Sequence, residues 1–168
     1  MAKIFGIGWA KTGTTTLGDC FRILGYDHQS QDWDLVKDVG KGDLTRVMAL
    51  VQRKDTFEDW PWIILYRELD ESFPGSRFVL TRRDTDKWIS SYKNMLARRG
   101  KASEEQNEIR RILYGLPFPD VTERQLIERY ERHNADVLEY FRDRPGDLLV
   151  VDWEAGDGWI ELCDFLGR

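Results

Sequence analysis

The chain lacks several things, and each absence narrows what it can be. Cysteine is confined to Cys20 and Cys163. Both fall inside apolar helical patterns, which argues against a disulfide scaffold or a Cys/His metal site and suits reduced thiols in a cytoplasmic protein. No window approaches the ~20 apolar residues of a membrane span, and no basic segment leads into an apolar run and cleavage site, so a soluble protein with no membrane partner is expected. There is no basic excess: 25 Lys and Arg stand against 30 Asp and Glu, a net charge of −5. That balance argues against a nucleic-acid partner, and any anion site must be a local concentration of basic side chains. Repeats, low-complexity segments and linkers are also missing. The 168 residues, 41% of them hydrophobic, have the length and core material of a single domain spanning 1–168.

What is present alternates between strand and helix. Residues 3–8, "RFVLTRR" (77–83) and "DLLVVDW" (147–153) read as buried strands. Thr14–Leu24 reads as a helix with Leu17, Cys20, Phe21 and Leu24 on one stripe. Two short helices broken near Gly40 and Gly42 fit residues 32–53. A further helix runs from Trp62 to Phe73 behind Pro61, and another from Asp84 to Arg99. Residues 100–111 read as continued helix or as a flap. Thr122 and Gln125 form a capping box for a long helix that Pro145 and Gly146 stop, and Trp159–Leu166 closes the chain. Apolar strands without in-out alternation, separated by helices, predict a three-layer α/β/α fold on a central parallel sheet. Ligands then bind at the carboxyl ends of the strands.

The stretch between the first strand and helix, "GWAKTGTTTL", has the glycine spacing of a phosphate-binding loop in Gly8 and Gly13. In the GxxxxGK[ST] form lysine follows the second glycine and a hydroxyl holds magnesium. Here Thr14 follows Gly13 and the lysine is Lys11. The backbone N–H groups from Thr12 to Thr16 are still placed to converge on an anion at a helix N-terminus, and the ammonium now comes from within the loop. A structural Gly/Thr turn is the bland alternative.

"KTGTTTL" resembles the 5′-phosphosulfate loop of sulfotransferases that use 3′-phosphoadenosine-5′-phosphosulfate (PAPS). "RFVLTRRDTDKWISSY" resembles their 3′-phosphate segment, with Arg83 ending the strand and Ser91 eight residues on. Arginine offers fork-shaped donors to a terminal phosphate, and a serine about two turns along adds a hydroxyl from the same side. "DWPWIILYRELDESFPGSRF" and "LLVVDWEAGDGWIELCDFLG" resemble the short bacterial and fungal branch of sulfotransferase-like proteins. The likeness spans most of the chain and is weakest over 27–56 and 100–121. It departs in two places. The basic-glycine loop near the C-terminus has no counterpart, and the aromatic after the loop threonines is replaced by Thr16, which leaves Trp153 as a candidate for stacking on adenine.

The resemblance implies transfer of a sulfuryl group from PAPS to a hydroxyl or amine of a small-molecule acceptor by in-line displacement, without a metal. Adenosine 3′,5′-bisphosphate is the product. Lys11, Thr12, Gly13, Thr14, Thr15, Thr16, Arg83 and Ser91 would hold the nucleotide, with Lys11 also meeting charge on the leaving oxygen. The family's usual basic histidine, two residues before a helix-opening proline, falls on Asp59. A carboxylate serves as base only if burial raises its pKa, and Trp60 and Trp62 offer apolar surroundings. Asp59 is otherwise a helix cap. His28 is a second candidate base or acceptor contact. His133 reads as packing or surface, and Trp9 as acceptor-pocket wall or core. Two other readings stay open: a P-loop nucleotide kinase or hydrolase with Asp152 holding magnesium, and a binding module that has lost catalysis.

Overall fold

The structure, a computed structural model, describes residues 2–168. Its strands are β1 (Ile4–Gly6), β2 (His28–Gln29), β3 (Thr56–Glu58), β4 (Arg77–Thr81) and β5 (Leu148–Val151), in one parallel sheet of order β2-β3-β1-β4-β5. Its helices are α1 (Thr14–Ile23), α2 (Trp33–Gly40), α3 (Thr45–Arg53), α4 (Tyr66–Ser72), α5 (Thr85–Arg99), α6 (Glu104–Tyr114), α7 (Glu123–Tyr140) and α8 (Trp159–Leu166). The expected α/β/α architecture is present.

The sheet is buried on both faces because its strands are apolar on both. On β1, Phe5 points to one side and Ile4 to the other; on β4, Phe78 and Leu80 oppose Val79. Phe57, Phe5 and Phe78 sit side by side in register across three strands, with stacked rings at 5.1 and 5.4 Å. Trp62, Leu65, Leu69, Val137 and Phe141 cover them from α7 and the segment ending in α4. Leu17 and Phe21 of α1 and Leu162 and Leu166 of α8 cover the opposite face. A third cluster, including Trp9, Trp60, Trp88, Tyr92, Tyr114 and Tyr130, contains residues from the segments that follow β1 and β3.

Two strands, β2 and β3, are additional to the three expected. Both are two or three residues long, and β3 carries Glu58, a residue that argues against a buried strand unless it is paired. Glu58 is paired: it is 2% exposed, accepts from the Ser30 hydroxyl and lies 3.5 Å from His28 Nε2. The segment behind Pro61 opens as a 3-10 turn over Trp62–Leu65 before becoming α4. Residues 104–111 are helical, but they belong to a separate helix and do not continue α5. Gly100 at φ 69° ends α5, and Ser103 with Gln106 starts α6 with a capping box of its own.

Two contacts hold β1 and its loop to the rest. His133 of α7 is buried, and burial lowers its pKa to about 4. The neutral ring donates from Nε2 to the Ile7 carbonyl at 2.8 Å. Gly8 lies so close to β4 that a Cβ there would sit 1.9 Å from Thr81 Oγ1 and 2.5 Å from the Thr81 carbonyl. Gly8→Ala should therefore push the loop off β4 and destabilise the protein by about 3 kcal/mol. Urea unfolding checks this, and an unchanged midpoint would show that the contact is slack.

Candidate active site

The loop that leaves β1 is closed by its own polar groups. Thr12 Oγ1 donates to the Trp9 carbonyl at 2.6 Å, so the 2.6 Å contact with Thr81 Oγ1 has Thr81 as donor. The Thr12 amide is also spent on the Trp9 carbonyl, at 3.2 Å. Thr12 is thus a buried fastener, which corrects its expected part in the anion cradle. The amides of Gly13, Thr14, Thr15 and Thr16 have no backbone partner among the described residues, and α1 has neither a capping side chain nor an acidic residue in its first turn. These four N–H groups and the positive end of the helix are what the loop presents to an anion.

Lys11 and Asp59 are the two non-glycine residues with positive φ among the described residues, at 78° and 67°. Such backbone is costly for an L-residue and persists only where its surroundings over-determine it. Both line one cleft of about 960 Å³ at the carboxyl ends of the strands, together with Gly13, Thr14, Thr15, Arg83 and Ser91. The Lys11 ammonium makes no hydrogen bond or ion pair with any described residue. A second cleft of about 630 Å³ shares Lys11, Arg83 and Ser91 and runs along α5 past Lys87 and Arg98. Most of the predicted site residues therefore meet, with Lys11 where the two clefts join.

Arg83 is held at both ends. Its backbone N–H donates to the Tyr130 hydroxyl at 3.0 Å, and that hydroxyl donates to the Arg83 carbonyl at 2.7 Å. The guanidinium pairs with Glu154, which also meets Lys87 at 3.1 Å, while Arg83 Nε is buried without a partner. Glu154 thus covers two cations that an incoming phosphate would compete for.

Asp59 does not cap the turn that follows it. Its backbone carbonyl accepts from Ile63 at 3.3 Å, and its Oδ1 is buried without a partner. Burial first, and the neighbouring Glu58 carboxylate second, push its pKa up to about 7, against hydrogen bonds from the Trp60 amide and the Thr14 hydroxyl. A carboxyl with this pKa is matched to proton transfer near neutrality.

Several expectations are not met. His28 is away from the cleft: its side chain is 1% exposed, with Nδ1 2.8 Å from Thr56 Oγ1 and Nε2 facing Glu58 beneath Gly18. Trp153 lines neither cleft. The edge of its indole presses against Gly13, with Cδ1 2.4 Å from where a Cβ would stand, so it packs against the loop and offers no face to adenine there. Thr16 is exposed outside the cleft lining and has only its amide to give. Trp9 is fully buried against Trp60, Tyr114 and His133, with the Arg129 guanidinium 4.7 Å from its ring, so it is core. Asp152 spends Oδ1 on the amides of Glu154 and Ala155 in a turn outside both clefts. Among the described residues no group of three or more His, Cys, Asp or Glu is placed to hold a metal, and no helix is long and apolar enough to cross a membrane.

The cleft also contains Trp60, expected beside Asp59, and residues that were not expected there: Tyr92, Arg99, Arg110 and Tyr114. Part of this was readable, since Met95 and Arg99 follow Ser91 at i+4 and i+8 on one face of α5. Arg110 and Tyr114 were not, because they reach the site only through the fold-back of α6.

Parallel strands covered on both sides and a glycine loop running into α1 define an α/β fold of the phosphate-binding-loop type. The deoxyadenosine kinase of M. mycoides, solved with bound dATP, shares this fold with a TM-score of 0.55 over all of both chains, at 14% identity. The sequence pattern of the sulfotransferase domain matches residues 3–168, and the chain belongs to that family. No curated protein sequence matches it.

Two of the buried titratable groups, His133 and Asp59, pull stability in opposite directions over one pH range. His133, lowered to about 4, adds stability as pH rises from about 4 to 6.5, because the unfolded chain binds the extra proton. Asp59, raised to about 7, contributes stability that is lost as pH rises from about 4 through 7, because the folded chain keeps the proton. Asp59→Asn should therefore gain on the parent protein by a few kcal/mol between pH 4 and 8. Urea titrations across that range check this, and a difference independent of pH would refute the buried, proton-retaining carboxyl.

Proposed function

We propose that the chain is a PAPS-dependent sulfotransferase, acting as one domain over residues 1–168, that moves a sulfuryl group to a hydroxyl or amine of a small-molecule acceptor. The observation that carries this is the meeting of Lys11, the free amides of residues 13–15 and Asp59 on one cleft, each of the two side chains held by strained backbone. The residues fit the nucleotide as an anion. The loop amides take the 5′ end and Arg83, with its unpartnered Nε, takes the 3′-phosphate beside the Ser91 hydroxyl and Lys87. PAPS supplies the transferable sulfuryl group. Asp59 takes the proton of the acceptor as its oxygen or nitrogen bonds to sulfur. The bond from sulfur to the phosphate oxygen breaks, and the electron pair leaves on adenosine 3′,5′-bisphosphate, whose new charge Lys11 meets. A metal has no part in this scheme, since Lys11 does the neutralising. The two free thiols fit a cytoplasmic protein.

The likeness in fold to a nucleotide kinase keeps phosphoryl transfer as a second reading. Two features weigh against it: lysine is absent after Gly13, and Asp152 is committed to a turn. Adenosine 3′,5′-bisphosphate without magnesium should raise the melting temperature, and Lys11→Ala and Arg83→Ala should each weaken its binding about tenfold or more. Stabilisation by ATP with magnesium alone would favour the kinase, and nucleotide binding without transfer to any acceptor would favour a binding module.

Transfer from radiolabelled PAPS should rise with pH through about 7 as Asp59 loses its proton. In Asp59→Asn it should fall about 100- to 10,000-fold with nucleotide binding retained. Turnover that disappears with a chelator and returns with magnesium would overturn the metal-free scheme.

A further inference from the structure

Resting on the sulfotransferase reading, the geometry points to an anionic acceptor: a molecule whose hydroxyl or amine is carried on a flat apolar body with a carboxylate at its far end, read by Arg110. The two clefts divide the work. The smaller runs along α5 to Lys87 and Arg98, and the larger passes over Asp59 to α6. Arg110 belongs to the larger one alone, whereas Lys11 and Arg83 line both.

The larger cleft is walled by Trp60, Tyr92 and Tyr114, each nearly buried, which suits a flat apolar body. Its further cations are Lys37, Arg99 and Arg110. Lys37 is answered by Glu105 at 2.6 Å. Arg99 and Arg110 make no ion pair or side-chain hydrogen bond with any described residue. Arg110 is half-buried, with its guanidinium 5.7 Å from the centre of the Phe118 ring. A partly desolvated guanidinium without a counter-charge is costly. The protein has carboxylates to spare, 30 against 25 basic residues. The missing counter-charge is thus particular to this wall, and an acceptor's carboxylate completes it as a fork-shaped pair. Asp59 has Arg99 among the charges acting on it and is the group that must stay free for the proton.

Three phenols of similar size test the charge: 4-hydroxyphenylacetate, 4-hydroxyphenylethanol and tyramine, which are anionic, neutral and cationic. With saturating adenosine 3′,5′-bisphosphate, the anion should raise the melting temperature most. With PAPS its kcat/KM should exceed that of the neutral phenol at least tenfold, with tyramine lowest. In Arg110→Gln that ratio should collapse towards one with nucleotide affinity retained, and Arg110→Lys should restore part of it. Equal or reversed preference, no stabilisation by millimolar 4-hydroxyphenylacetate, or an equal loss on all three phenols in Arg110→Gln would overturn the assignment of the anion while leaving the sulfotransferase reading in place. Failure of adenosine 3′,5′-bisphosphate itself to bind would instead remove that reading, and this inference with it.

Discussion

The closeness of Gly8 to Thr81 is the constraint on which the site depends. No side chain fits between the end of β1 and the end of β4, so the loop must leave the sheet there. The Thr12 and Thr81 hydroxyls then lock its path. Everything downstream inherits that position: the turn at Lys11, the free amides at the start of α1, and the register that places Arg83 two residues beyond the end of β4. From the other side, α7 supports the same junction through His133 on the Ile7 carbonyl and Tyr130 on the backbone of Arg83.

Polar groups in this region fall into two kinds. Those of Thr12, Thr81, His133 and Ser30 are committed to hydrogen bonds that hold the frame. Those of Lys11, Asp59 and Arg110, with the amides of residues 13–16, are left short of partners at a cost of the kind that a fold alone does not require. His28 shows why the distinction matters. By residue type it is the natural base, yet it is buried away from the cleft with Nδ1 on Thr56 and Nε2 facing Glu58, while the less basic Asp59 is desolvated into the useful range.

The sequence made the frame legible where periodicity was long and caps were explicit. The apolar strands at 3–8 and 77–83, the capping box at Thr122 and the glycine break before α3 all correspond to observed elements. The short strands β2 and β3 were hidden because two or three residues carry no periodicity, and because a buried Glu58 makes sense only once His28 and Ser30 are beside it. The loop was read as an anion site from glycine spacing, but spacing does not tell a threonine that faces a ligand from one that fastens the loop. Thr12 and Thr14 therefore looked equivalent and are not. Trp153 was a reasonable stacking partner by type, and its packing against Gly13 depends on where β5 ends.

By itself, then, the sequence determined the three longer strands and the main helices, the helix-start amides, and the displaced lysine that marks this loop. These follow from local properties: periodicity, backbone freedom at glycine, and capping chemistry within a few residues. Tertiary structure alone decided which polar groups were consumed and which were left over. It desolvated Asp59, buried His28, and folded α6 back so that Arg110 and Tyr114 face a loop about a hundred positions away. Desolvation and partner choice are set by neighbours distant in the chain, and no local pattern encodes them.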